Sequence, residues 1–280
     1  MNRRQAGVAL AVGAGAASLG FLGAVVRGQN AAPARQSVLI GGAGAMLALN
    51  QAWARAFQLT EPAIDMVIET GGSLPAYVAA SRGAIDLAAM TRGLTDAEDD
   101  PEAHHFLVAK DALAIVVHAS SALTSLRRSQ VRALLTGETD NWQQLDGPAR
   151  PVQVYAAPRA SVARHFAEEF LLEGSDFAPA AREPGTDAAM LAALAVDPAG
   201  VACVAARSAL PPGVMRLRVE QVAPTPATIL SGRYPYAHSF YLMLYGARDG
   251  ARARFLDFAR SPAGQAIVSA QGMTAVCAVG

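Results

Sequence analysis

The chain has 280 residues, with 23 lysines and arginines against 23 aspartates and glutamates, so its formal charge is zero. That balance leaves no electrostatic footprint for nucleic acid, which would favour a basic domain. No Cys/His spacing resembles a metal site, so none is expected.

The first residues read as an export signal. Arg3 and Arg4 precede an uncharged, mostly apolar run from Ala6 to Val26, and Ala32-Pro33-Ala34 supplies a small-residue cleavage site. Residues 1–34 are therefore expected to be a signal peptide or, because the run exceeds a usual export core, an N-terminal anchor. The location implied is periplasmic or otherwise extracytoplasmic. No cysteine follows the leader, which excludes lipid attachment there. Three arginines leave with it, so 20 of the 23 basic residues then face 23 acidic ones. The ~245 residues that remain suffice for two lobes.

After the leader a strand–glycine turn–helix arrangement occurs twice. Residues 38–40 lead through Gly41, Gly42, Ala43, Gly44 and Ala45 into the helical pattern Met46, Leu49, Trp53, Phe57. Residues 66–68 lead through Gly71, Gly72 and Ser73 into Leu74-Pro75 and another helix. Such turns aim unpaired backbone N–H groups and the positive end of a helix dipole at one point, which suits an anion. They point to a binding cleft rather than to a catalyst.

Further strands are expected at 87–90, 112–118, 152–155, 201–204 and 240–245. Amphipathic helical patterns fall at 131–135, 166–170 and 190–194. Apolar residues at 255, 258 and 259, then Ser261-Pro262 as cap and first turn and Gly272 as a stop, predict two closing helices. The alternation predicts an α/β fold. Pro224 and Pro226, followed by Arg233-Tyr234-Pro235-Tyr236, read as a fixed extended crossing between lobes. His104 and His105 form an adjacent pair in a predicted polar loop, which cannot chelate as an i, i+4 pair does. Asp86 reads as a structural carboxylate, His118 as a turn or capping residue, and Trp142 as packing beneath the turn after Gly137. Cys203 and Cys277 each sit in a small-apolar stretch and read as buried thiols, pairing being the alternative in an exported protein.

Four stretches in order resemble the substrate-binding proteins of phosphate ABC transporters, a branch of the type II periplasmic binding protein superfamily. They are Gly42 to Ala45 with the helix that carries Trp53 and Phe57; Gly71-Gly72-Ser73 followed by residues 83–92; residues 131–137 with Asn141-Trp142 and Gly147-Pro148; and residues 222–226 with 231–235, then 255–258 and 261–265. The resemblance covers nearly everything from about residue 37 onward. It implies two α/β lobes joined by two crossings and closing on a small anion, with lobe I at 36–115 plus 236–280 and lobe II at 116–235. It also implies a monomer that hands phosphate or a related small oxyanion to an ABC permease in the inner membrane, without a cofactor.

At the ligand loops the chain departs from the family pattern. The family's first loop commonly reads Gly-Ser-x-Thr where this chain has Gly42-Ala43-Gly44-Ala45. The second loop keeps Ser73. In the other lobe Gly-Ser-Gly-Thr and a following arginine correspond to Ala160-Ser161-Val162-Ala163-Arg164. Three hydroxyls are thus alanines. A hydrogen bond to a charged group contributes roughly 1.5–3 kcal/mol, so three lost without replacement would remove roughly 5–9 kcal/mol, against about 8 kcal/mol in a micromolar complex. Substitute groups are expected, and arginines are the candidates: Arg92 beside the second loop, and Arg164 or Arg159 from the other lobe. The ligand site expected from sequence is Ala43, Gly44, Ala45, Gly72, Ser73, Arg92, Ser161 and Arg164. A diverged binding or sensory module of the same fold, with another small ligand or none, is the alternative. Catalysis is not expected. Ser161 and His165 stand one helical turn apart, but there is no Gly-x-Ser-x-Gly elbow and no carboxylate placed to orient the histidine.

Overall fold

The computed structural model describes residues 36–159 and 161–276; the predicted leader, Ala160 and Cys277 lie outside them. Alternating buried and half-buried apolar residues make β1 (Gln36–Gly42) a central strand. It pairs in parallel with β2 (Ile64–Thr70) on one side and β3 (Leu87–Met90) on the other, in registers that set Leu39 opposite Val67 and Ile40 opposite Leu87. Parallel neighbours need crossovers, and α1 (Leu47–Thr60) and α2 (Ser73–Ser81) supply them.

The sheet then continues through antiparallel strands in the order β2-β1-β3-β10-β4-β7-β6, with β8 (Val214–Arg216) also on β4. The 16-residue β4 (Ala103–His118) organises the molecule by changing partners along its length. From Ala103 to Ala112 it pairs with β10 (Ala237–Tyr245). From Leu113 to Val117 it pairs with β7 (Gly200–Ala205), which lies parallel to β6 (Gln153–Tyr155). The exchange is sealed by hydrogen bonds from Leu113 N–H to Tyr236 O (3.2 Å) and from Ala206 N–H to Ala112 O (2.7 Å). A small separate pair joins β5 (Ser125–Leu126) to β9 (Arg218–Val219).

Helices cover both halves. On the β1 side, Trp53 and Phe57 of α1 are buried against α7 (Gly250–Arg260) and α8 (Pro262–Ala270). Phe57 meets Phe255 edge-on at 5.4 Å, and the Trp53 indole N–H donates to Gly264 O at 2.8 Å. On the β7 side, α3 (Arg128–Thr136), α4 (Val162–Phe166) with a following π turn (Ala167–Leu171), and α5 (Asp187–Leu194) pack on the sheet. Trp142 is buried and donates to Ala199 O at 2.9 Å. Asp86 accepts the Leu39 N–H at 2.8 Å, fastening the start of β3 to β1. His118 ends β4 and accepts the Ser120 N–H on Nδ1 at 3.1 Å, a turn role.

All seven predicted strands are present. Two expectations need correcting. His104 and His105 belong to β4, paired with Leu244 and Met243, and not to a loop. Pro226 opens a short helix, α6 (Pro226–Leu230), capped by Thr225, so residues 223–230 do not run extended throughout. The pyrrolidine fixes φ near its helical value and lacks a donor only where none is needed, which suits a first helical turn better than a crossing. Cys203 is buried in β7 and is free among the described residues.

Candidate functional site

Two glycines shape the loops after β1 and β2. A Cβ on Gly42 would stand 2.0 Å from Ala89 O, because Ala43 N–H donates to that carbonyl at 2.8 Å and draws β1 onto β3. Gly72, with φ +86°, turns the chain into α2 through the left-handed region that a side chain resists. The result is two helix starts, a 3-10 turn (Gly44–Met46) leading into α1 and the first turn of α2. Amides in such first turns have no intrahelical acceptor.

Ala43, Gly44, Ala45, Gly72, Ser73 and Arg92, six of the eight residues singled out from sequence, line one cavity of about 230 Å³. Thr91 joins them. The Ser73 hydroxyl accepts the Thr91 N–H at 3.2 Å and lies 3.3 Å from the Thr91 hydroxyl, so these side chains tie α2 to the end of β3. The opposite wall is His165, Phe166 and Glu169, on α4 and its π turn. The sequence offers His165 only as a partner of Ser161 and Phe166 only as a helix-period residue, and does not single out Glu169. His165 and Glu169 stand one turn apart on the helix begun at Ser161, and that spacing was the available signal.

The structure does not bring Ser161 and Arg164 to this cavity. Ser161 caps α4, accepting the Arg164 N–H at 3.0 Å. Arg164 is 4% exposed and turned inward. Its guanidinium donates to Glu168, to Glu183 at 3.2 Å and to Ala157 O at 3.3 Å, and it lies 4.3 Å above the Phe177 ring. A buried cation so engaged holds the end of β6 and the loop before α5 to α4. Arg159 is exposed and pairs with Glu183 at 3.1 Å.

Arg92 is also occupied. Nη1 donates to Glu98 Oε2 at 2.5 Å and to Gly93 O at 2.9 Å, and Nη2 to Glu98 Oε1 at 2.7 Å. The Arg92 hydrogen bond holds the Glu98 carboxyl down at about 2, helped by the Thr95 amide and against the cost of burial. A planar guanidinium has five N–H donors, so Nε–H and one Nη2 hydrogen remain. Glu169 stands close enough for its charge to act on Arg92. With Arg92 balanced by Glu98, the loop cavity carries the net negative charge of Glu169, and amide hydrogens are its main anion donors.

A second cavity, about 290 Å³, lies beyond Arg92 where β4 and β10 meet. Thr91 and Arg92 belong to both cavities. Between them stands an aromatic stack: Phe166 on His238 with ring centres 4.0 Å apart, and Phe170 on Phe166 at 5.5 Å. Burial pushes the His238 imidazole down to about 4, so it is neutral at physiological pH.

Among the described residues no group of three or more His, Cys, Asp or Glu side chains could hold a metal ion, and no helix is long and apolar enough to cross a membrane.

The family model "PBP superfamily domain" matches residues 28–263. The phosphate-binding protein PstS of Pseudomonas aeruginosa PAO1 is 26% identical over 294 aligned residues, covering 95% of this chain and 91% of that protein. PstS of Bacillus subtilis 168 is 25% identical over 242 residues, covering 84% and 79%. Among solved structures, an ABC-type phosphate transport receptor from Vibrio cholerae superposes with a TM-score of 0.78 at 23% identity, over 85% of this chain and 99% of that one. PstS from Borrelia burgdorferi gives 0.76 at 21% identity, over 86% and 98%. The fold is that of type II periplasmic binding proteins.

Proposed function

This chain belongs to the PBP superfamily, and we propose that it is an extracytoplasmic solute-binding protein that captures phosphate or a related small oxyanion and delivers it to an ABC permease. In this reading the lobes are residues 36–115 plus 236–280 and residues 116–235, and the change of β4 from β10 to β7 near Leu113 supports a boundary close to there. The observation that carries the reading is the loop cavity: two helix starts from one side of the cleft, Arg92 between them, and α4 opposite. Oriented first-turn amides and the aligned helix dipoles attract an anion without hydroxyls.

The ligand residues in this reading are Ala43, Gly44, Ala45, Gly72, Ser73 and Arg92. Glu169 opposes the anion. Affinity is therefore set by backbone amides, and is expected to be weaker than a hydroxyl-lined site of the same shape would give. The protein is not an enzyme and uses no cofactor: it holds its ligand by donors, with closure of the lobes around a hinge retaining it and reopening releasing it.

Calorimetric titration of the full chain with phosphate, sulfate, molybdate and methylphosphonate tests this. Saturable one-to-one binding of at least one oxyanion, weakened tenfold or more by Ala45→Asp, is the expected result. No binding of any of the four, with the protein folded, would favour a module of the same fold with another ligand.

A further inference from the structure

The 290 Å³ cavity at the β4–β10 junction holds a different balance of charge from the loop cavity. Arg92 and Glu98 cancel there too, but the second cation, Arg128, does not pair. It opens α3, and its backbone N–H donates to Glu220 at 2.8 Å, while among the described residues its guanidinium makes no ion pair. Instead it lies 5.9 Å from the centre of the Tyr236 ring. Tyr236 is 4% exposed and its hydroxyl has no hydrogen-bond partner. Burial pushes that phenol up, and Arg128 beside it pulls it back, so it remains a protonated donor. Nε2 of His238, buried in the same wall, is likewise unpartnered. Buried polar atoms without partners are costly, and the Tyr236 hydroxyl, bordering the cavity beside Arg128, is a donor that an oxygen-bearing guest would satisfy.

The walls and the charge define that guest. Phe170, Leu113 and Tyr241 supply apolar surface, which a bare inorganic ion would leave against its own hydration shell at a cost. The volume exceeds the need of a four-oxygen ion and approaches the lower end of organic ligand sites. Arg128, without an ion pair among the described residues but with the Glu220 carboxylate on its own backbone N–H, offers its guanidinium to one negative charge. A guanidinium fork grips a planar carboxylate in bidentate fashion.

We infer that this junction cavity is a second ligand site, for a small organic monocarboxylate, with Arg128 as its cation, the Tyr236 hydroxyl as its neutral donor and Phe170 against its apolar body. Its walls come from the β3 end, from α3 and from β10, so an occupant spans both proposed lobes. The site does not rest on what the loop cavity binds.

Calorimetry on the full chain with acetate, benzoate and inorganic phosphate as separate probes tests it. The expected result is benzoate binding at least tenfold tighter than acetate, abolished by Arg128→Gln and weakened about tenfold by Arg128→Lys, with phosphate affinity within twofold of the parent in both variants. Arg128 is exposed, so the thermal transition should be unchanged. Three results would overturn the inference: no carboxylate binding, benzoate binding indifferent to Arg128→Gln, or loss of phosphate binding in that variant, which would make the two cavities one site. Failure of phosphate alone would sink the oxyanion reading and leave this one standing.

Discussion

Replacing Glu169 by glutamine should tighten phosphate binding. Glu169 lines the loop cavity and is half-exposed, 51%, with the His165 imidazole at 3.8 Å and Arg92 near enough to feel its charge. A cavity of about 230 Å³ places any anion within about 7 Å of that carboxylate. At an effective dielectric of roughly 40–80 for so exposed a group, two unit charges at that distance repel by about 0.6–1.2 kcal/mol. Phosphate carries between one and two negative charges near neutral pH, so Glu169→Gln should lower the dissociation constant about 3–10-fold at low ionic strength. At 1 M salt the screening length falls to about 3 Å, and the gain should shrink below twofold. The exposed His165–Glu169 pair contributes little to stability, so the thermal transition should stay put. Phosphate calorimetry at 10 mM and 1 M sodium chloride reads both effects. An affinity that falls in Glu169→Gln would refute the reasoning, because it would make the carboxylate a hydrogen-bond acceptor for a protonated ligand rather than a repelling charge.

Other parts of the account predict separate outcomes. Restoring one family hydroxyl with Ala45→Thr should improve phosphate affinity about 10–100-fold, the value of one hydrogen bond to a charge; an unchanged affinity would show that the anion does not approach that loop. Arg164→Gln should destabilise the fold by about 1–3 kcal/mol, because Glu168 and Glu183 lose a buried partner, yet leave phosphate affinity within twofold; urea titration and calorimetry together separate the effects, and a large affinity loss at unchanged stability would return Arg164 to the site. The Glu98 carboxyl, held at about 2 against an ordinary 4.5, stabilises the fold fully above pH 4.5 and loses that contribution as pH falls toward 2. With Arg92 36% exposed, solvent screening reduces the contribution to about 1–2 kcal/mol. Urea midpoints for the parent and Glu98→Gln should differ most at pH 7, less at pH 3, and converge only below about pH 2; a constant difference would contradict the ion pair's role.

What the sequence made legible follows local rules. Gly42 and Gly72 betray the two turns because their backbones cannot carry a side chain there, one for want of space against Ala89 O and the other for its positive φ. The apolar runs and helix periods located every major strand and the helices around the core. The first half of β4 was hidden because His104 and His105 are exposed on a strand whose pairing comes from β10, more than a hundred residues away. The π turn at 167–171 has no periodic signature. The site was half legible for the same reason. Loop residues follow their backbone, but the direction of Arg164 was decided by Glu183 and Phe177, which fold beside it from elsewhere. Arg128 and Tyr236 lie far apart in sequence and meet only across the junction cavity.

The most direct test of the central claim is a phosphate titration of isotopically labelled protein followed by amide NMR. Gly44, Ala45 and Ser73 hold the first-turn N–H groups proposed to grip the anion, and their amide protons should move downfield together along one saturable curve. Shifts absent from those three, or confined to residues around Arg128, would contradict an oxyanion held by the loop amides.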